Sequence, residues 1–282
     1  MSEMKLQRGA NAITEAFRSR LAQGGKVLVP YIMAGDPDLG STEKIVRSLS
    51  GIGVDVIELG MPFSDPLADG PVIQRAGLRA IRQGVTLTSL LDSVESMRVY
   101  VDTPLIIMTY YNLFLSYGLE KFAQDAARVG LDGVIVPDLP VEEAGPFLEA
   151  LDAQGLAMIF LIAPTSTDDR IERIASVAKG FIYYVSRTGI TGTQKSVAED
   201  LEDNLARIRR YTDLPIAVGF GVSNAQQAQE ISRFADGVVI GSAIVQLIEE
   251  TNFMHDRMAA KFVKPIVEIL HGSARSPLDA QE

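Results

Sequence analysis

Short runs of β-branched and apolar residues alternate along this chain with stretches in which apolar positions return once per helical turn. The runs occupy 27–33, 54–59, 104–109, 133–136, 157–162, 181–186, 215–218 and 238–240. Between them, 45–49, 72–81, 87–97, 119–129, 142–151, 171–177, 201–208 and 225–234 show the spacing of amphipathic helices. Strand and helix in strict alternation select a parallel sheet. Eight strands in a chain of 282 residues favour closure into a single (β/α)8 TIM barrel over an open doubly wound sheet. Ahead of the repeat, Ile13, Phe17 and Leu21 stand four residues apart and predict an extra N-terminal helix within 6–23. No linker rich in Pro, Gly or Ser divides the sequence, so 1–282 reads as one barrel domain, with 272–282 as a flexible tail.

A weak echo marks three strand entries. Asp55, Asp132 and Asp236 each stand at or just ahead of an apolar run, in GVDVI, LDGVI and ADGVVI. The repeating unit is one strand and its helix, not a solenoid period.

Composition narrows the chemistry more than the fold. Nearly half of the residues are apolar, yet no apolar run is long enough to span a bilayer, and the first residues lack the apolar core of a signal peptide; a soluble, cytoplasmic protein is expected. The absence of cysteine excludes disulfides, thiolate catalysis and cysteine metal sites. A formal charge of −10 argues against a nucleic-acid-coating surface, while leaving room for a local pocket that takes a small anion. The only two histidines, His255 and His271, lie in the C-terminal helical region, so acid/base work falls to carboxylates or tyrosines.

The densest chemistry is ELGMPFSDPLADG at 58–70, which holds Glu58, Asp65 and Asp69. Such a loop can be merely acidic surface, with Asp69 capping the next helix. Glu58, however, ends an apolar strand, and Met61, Phe63 and Leu67 make a dry wall, which is how a carboxylate is tuned for proton transfer. In a barrel the strand C-termini share one face. Glu58, Tyr110, Asn112, Asp138, Ile162 and Tyr183 then look into one mouth, where Tyr31, Tyr110, Met108, Ile162 and Phe220 suit a flat apolar group. Glycines follow three consecutive strands: Gly189 and Gly192 after the sixth, Gly219 and Gly221 at the seventh, Gly241 with Ser242 after the eighth. The last two sets precede helix starts, the first of them carrying Ser223 and Gln226 at capping-box spacing, and free amides at two adjacent starts form a phosphate site. Residues 187–196, rich in Gly and Thr, read either as a mobile lid or as an ordinary surface loop.

Taken together, ELGMPFSDPLADGP at 58–71, VPYIMAGDP at 29–37, SRTGITG at 186–192, GFGVS at 219–223 and IGSAIV at 240–245 resemble the tryptophan synthase alpha subunit family, in order over residues 10–250. The resemblance implies a barrel that cleaves indole-3-glycerol phosphate to indole and glyceraldehyde 3-phosphate and docks on a pyridoxal-phosphate beta subunit in an α2β2 assembly. The barrel itself would carry no cofactor and no metal. The family's catalytic pair falls on Glu58 and Asp69, and its catalytic-site tyrosine on Tyr183. Substrate positions carry over to Thr191, Gly192, Gly221, Gly241 and Ser242 at the phosphate end and to Tyr31, Tyr110, Ile162 and Phe220 at the ring. Tyr31 replaces a frequent phenylalanine, and Pro137 stands where some members have alanine, which bears on pocket shape. Asp65 and Pro66 are suited to the partner interface; the alternative for Asp65 is that it braces the Ser-Asp-Pro turn. A stand-alone indole-glycerol-phosphate lyase, or a catalytically silent barrel that regulates a partner enzyme, are the rival readings.

Overall fold

The computed structural model describes residues 8–185, 194–219, 221–251 and 255–272. Among them eight parallel strands close a barrel in chain order. The strands are β1 (Val27–Met33), β2 (Ile57–Gly60), β3 (Leu105–Met108), β4 (Gly133–Ile135), β5 (Ala157–Ile162), β6 (Ile182–Val185), β7 (Ile216–Gly219) and β8 (Gly237–Ile240). The described helices are α1 (Ala10–Ala22), α2 (Leu39–Gly51), α3 (Pro71–Arg82), α4 (Leu87–Met97), α5 (Tyr111–Tyr117), α6 (Leu119–Val129), α7 (Gly145–Ala153), α8 (Asp168–Val177), α9 (Gln194–Ile208), α10 (Ala225–Ser232), α11 (Ser242–Glu250) and α12 (His255–Leu270).

Local chemistry sets many of the boundaries. Asp38 caps α2 by accepting from Ser41 N, Thr86 and Ser89 cap α4 reciprocally, Thr167 caps α8, and Gly130 ends α6 in the left-handed conformation. Spacing alone did not predict α5. It is one short helix whose only fully buried side chain is Phe114, too little to register as a periodic face.

Period-two alternation divides the strand residues between two cores. Val27, Val29, Val56, Ile106, Ile135, Ala157, Ile159, Ala217 and Val239 fill the barrel interior, together with Ile13 and Phe17 from α1. The Phe17 ring centroid lies 5.1 Å from that of Phe181, so α1 plugs the floor of the barrel. Residues of opposite parity, such as Leu28, Ile57, Leu59, Ile107, Val134 and Val218, pack outward beneath the helices. Each large side chain so buried contributes about 1.5–3 kcal/mol.

The aspartate echo has a structural cause. Asp55 accepts from Leu28 N at 2.9 Å, Asp132 from Leu105 N at 2.8 Å and Asp236 from Ile216 N at 3.0 Å. Each thereby holds a backbone N–H at the start of the preceding strand, and each is paired with an arginine: Arg20, Arg98 and Arg209. Three pairs of adjacent strands are thus joined at their N-terminal ends by the same device. With the floor held this way, the opposite end of the barrel is left to form a cavity.

Candidate active site

A cavity of about 1170 Å³ opens at the C-terminal ends of the strands. Register places Tyr31 beside Glu58 and Glu58 beside Ile106. Because Glu58 shares the inward parity of Val56, its carboxyl enters the barrel rather than the helix layer. It is fully buried, and both carboxylate oxygens lack a hydrogen-bond partner among the described residues. Burial, with the Asp69 charge adding to it, pushes the carboxyl up to about 8.

Asp69 reaches the same cavity from the loop after β2. It does not cap α3: Gly70 is the N-cap, Pro71 follows it inside the helix, and no side chain bonds the free amides. The Asp69 backbone is held instead, with its N–H donating to Pro66 O at 3.1 Å and its carbonyl accepting from Gln74 Nε2 at 2.9 Å. Burial raises its carboxyl to about 6, and a hydrogen bond with Tyr110 opposes that rise. The two carboxyls therefore differ in acidity because one is wholly desolvated and the other only half-buried with a donor.

Tyr110 lies against the Asp69 loop. It is not among the residues lining the cavity. Its hydroxyl accepts from Ala68 N at 2.9 Å and its ring stacks on Phe63, centroids 4.8 Å apart. Standing just before α5, it props the Asp69 loop through these contacts. Tyr31 and Tyr183 do line the cavity. Each occupies space that a glycine leaves: a Cβ on Gly60 would collide with the Tyr31 hydroxyl, and one on Gly219 would lie 2.6 Å from Tyr183 Cε2. Burial, with nearby carboxylates adding to it, pushes both phenols well above their ordinary value, so both stay protonated hydroxyls.

Ile162 lines the cavity yet packs in the outer layer, whereas Leu161 points with the interior residues and lines the cavity too. The sequence reading missed Leu161, although its parity with Ala157 and Ile159 carried the signal. At the far wall, Gly221, Gly241 and Ser242 line the cavity. α11 opens there with no side-chain cap on Gly241, leaving its first amides free for an anion. α10 differs from the expectation by one residue: Asn224, not Ser223, is its cap, accepting from Gln227 N at 2.9 Å, while Ser223 bonds Gln227 Oε1. A capped α10 makes α11 the open helix start of the two.

Thr191, Gly192, Phe220 and Gly189 lie outside the described residues, as do residues 187–193 of the candidate lid and 273–282 of the expected tail. Asp65 is exposed at the mouth and Pro66 half-buried beside it. The Asp65 carboxylate takes no hydrogen bond among the described residues, so its side chain does not brace the turn; the neighbouring Leu67 is 87 % exposed. His271 bonds Asp55 at 2.9 Å, on the floor of the barrel and away from the mouth. Among the described residues no group of three or more His, Asp or Glu is gathered as a metal site.

The fold and cavity are those of a (β/α)8 barrel with two carboxyls and an uncapped helix start at the C-terminal ends of its strands, where enzymes of this fold class carry their sites. The sequence model of the family described as tryptophan synthase alpha chain matches residues 17–271. The tryptophan synthase alpha chain of Geotalea uraniireducens is 49 % identical over 238 residues, 84 % of this chain and 89 % of that one. The crystal structure of the tryptophan synthase alpha chain from Legionella pneumophila superposes with a TM-score of 0.86 at 33 % identity, covering 94 % of this chain and 99 % of that one. A chain of M. tuberculosis tryptophan synthase in a ligand-free form gives 0.83 at 33 % identity, over 92 % and 98 %. The chain belongs to the tryptophan synthase alpha chain family and is a lyase of tryptophan biosynthesis. The family implies a beta-subunit partner. Among the described residues no helix is long and apolar enough to cross a membrane.

Proposed function

We propose that Glu58 and Asp69 carry the alpha reaction of tryptophan synthase in this cavity, cleaving indole-3-glycerol phosphate to indole and glyceraldehyde 3-phosphate. The observation that carries the assignment is Glu58, a fully buried carboxyl with neither oxygen bonded among the described residues, facing the cavity that Asp69 also lines; burial raises it to about 8 and Asp69 to about 6. At neutral pH Glu58 holds its proton and Asp69 is an anion. Glu58 gives that proton to indole C3, and positive charge appears on the ring. Asp69 accepts the ring N–H and offsets the charge. The Glu58 carboxylate then takes the proton of the side-chain hydroxyl next to C3 as the carbon–carbon bond breaks. Its electrons return to the ring, indole and the aldehyde separate, and Glu58 is again protonated, so protons and electrons balance. Tyr183 lines the same cavity as a neutral hydroxyl near enough to feel the Glu58 charge, though it does not bond that carboxyl in this structure, and the reading gives it the role of donor to the carboxylate once Glu58 has lost its proton. Every step is an oxygen-to-carbon or oxygen-to-oxygen proton transfer, and the reading asks for no metal or organic cofactor in this chain.

The phosphate sits at Gly221, Gly241 and Ser242, and the indole lies against Tyr31, Met108, Leu161 and Ile162. In its finer form the reading places the chain in a cytoplasmic α2β2 assembly, with pyridoxal phosphate in the beta subunit and Asp65, Pro66 and the exposed Leu67 at the contact. A catalytically silent barrel is disfavoured by Glu58, since a desolvated, unpartnered carboxyl costs stability and serves nothing without chemistry.

Indole release by Glu58→Gln tests the assignment. Turnover should fall at least about a hundredfold while substrate still binds; near-normal turnover would remove Glu58 from the mechanism. For the partner, Asp65→Ala should leave basal cleavage nearly intact and reduce activation by a beta subunit, and unchanged activation would move the contact elsewhere.

A further inference from the structure

Three segments of the site are bolted together by one knot of charge. α3 begins directly after Asp69 and Gly70, and α11 begins at Ser242. Further along α3, Arg75 grips Glu249, near the end of α11, with Nε 3.0 Å from Oε1 and Nη2 2.8 Å from Oε2. One turn on, Arg79 Nη1 meets the same Glu249 Oε1 at 2.7 Å. Its Nε and Nη2 take both oxygens of Asp36, each at 2.7 Å. Asp36 is 3 % exposed and follows β1, the strand that carries Tyr31, through a bond from its N–H to Met33 O. Beneath the charges, Tyr31, Met33, Ile73, Ala76, Ala80 and Val245 make one apolar cluster from the same three segments.

We propose that Arg79, with Arg75 and Glu249, is a positioning set that couples the phosphate-holding helix to the catalytic loop, so that seating the phosphate at Ser242 places Asp69 against the indole ring. The inference rests on the proposed reaction and deepens it. An ion pair as exposed as Arg75–Glu249 adds little stability. Its forked geometry does something else, because two parallel bonds to one carboxylate fix direction as well as distance. A short, stiff α11 joined near its end to α3 transmits a shift at its first turn to the segment that starts at Gly70. Binding energy from the phosphate, remote from the bond that breaks, is thereby expressed in turnover rather than in affinity alone.

The experiment compares indole-3-glycerol phosphate with indole-3-glycerol, which lacks the phosphate, as substrates of the full chain. In the unaltered protein, loss of the phosphate should lower kcat as well as raise KM. In Arg79→Lys, which keeps the charge and loses the fork, kcat with indole-3-glycerol phosphate should fall about tenfold, toward the value for indole-3-glycerol. The kcat for indole-3-glycerol should stay within about twofold, since no phosphate is there to be coupled. Glu249→Gln, nearly isosteric and at the partly exposed edge, should give the same pattern and carries the test if Arg79→Lys does not fold. Equal loss of kcat on both substrates would reduce the knot to a structural bolt and overturn the inference, as would an unchanged kcat on both. An unaltered protein that releases no indole from indole-3-glycerol phosphate would instead refute the proposed reaction.

Discussion

Glu58→Gln should remove activity, and the stability of the variant relative to the unaltered protein should grow with pH. In the fold the carboxyl titrates at about 8, against an ordinary value of 4.5. Between those values the unfolded chain has released a proton that the native state still holds, so native stability falls as pH rises. Below pH 4.5 both states are protonated and the group contributes no slope. Each unit inside the window costs the native state about 1.4 kcal/mol, so the loss is about 3 kcal/mol by pH 7 and is complete near pH 8. Glutamine has nearly the same shape and does not titrate. Whatever constant cost the buried amide adds, the stability of the variant minus that of the unaltered protein should rise by about 3 kcal/mol between pH 4.5 and 7. Urea unfolding at a series of pH values measures this difference, with equal m-values showing that both proteins expose the same surface. Parallel stability–pH curves would mean that Glu58 is solvated or paired in the native state, and the role of a neutral carboxylic acid would go with it.

The other expectations follow from the same pair and from the opposite wall. Turnover should describe a bell in pH, rising through about 6 as Asp69 ionises and falling through about 8 as Glu58 loses its proton; the limbs belong to the coupled pair, and a flat profile from 5 to 9 would contradict the assignment. Asp69→Asn should lower kcat about a hundredfold with only a small change in KM, and should erase the acid limb; a change in affinity alone would remove charge stabilisation as its role. Ser242→Asp should raise KM more than about tenfold and weaken inhibition by glycerol phosphate, because a fixed carboxylate would compete for the free amides of α11; unaltered inhibition would place the phosphate elsewhere.

Several of these residues stood in plain view in the sequence, and others did not. The places of Glu58 and Ser242 at the cavity were legible, the first because a carboxylate at the end of an apolar strand is costly unless used, the second because a glycine and a serine opened a helix after a strand. Asp69 was ambiguous: a loop aspartate before a helix reads as a cap, and only the structure removed that reading by placing Gly70 in the cap position. For Tyr110, its place after a strand says that it is near the mouth, and only the tertiary structure shows that its ring stacks on Phe63. Leu161 was overlooked beside Ile162 although alternation along β5 separates them.

The sequence by itself determined the number and order of strands, the parallel sheet and its closure, and the set of strand ends from which a site is made, because these follow from local periodicity and from short-range turn and cap chemistry. Tertiary structure decided everything that depends on the distance between segments far apart in the chain. Asp55, Asp132 and Asp236 became strand-start anchors only when the neighbouring strand arrived, Gly60 and Gly219 became obligatory only when tyrosines from β1 and β6 lay over them, and Glu58 acquired its raised pKa only when the closed barrel excluded water from both of its oxygens. Desolvation and close approach are properties of the assembled interior, and no pattern along a single segment encodes them.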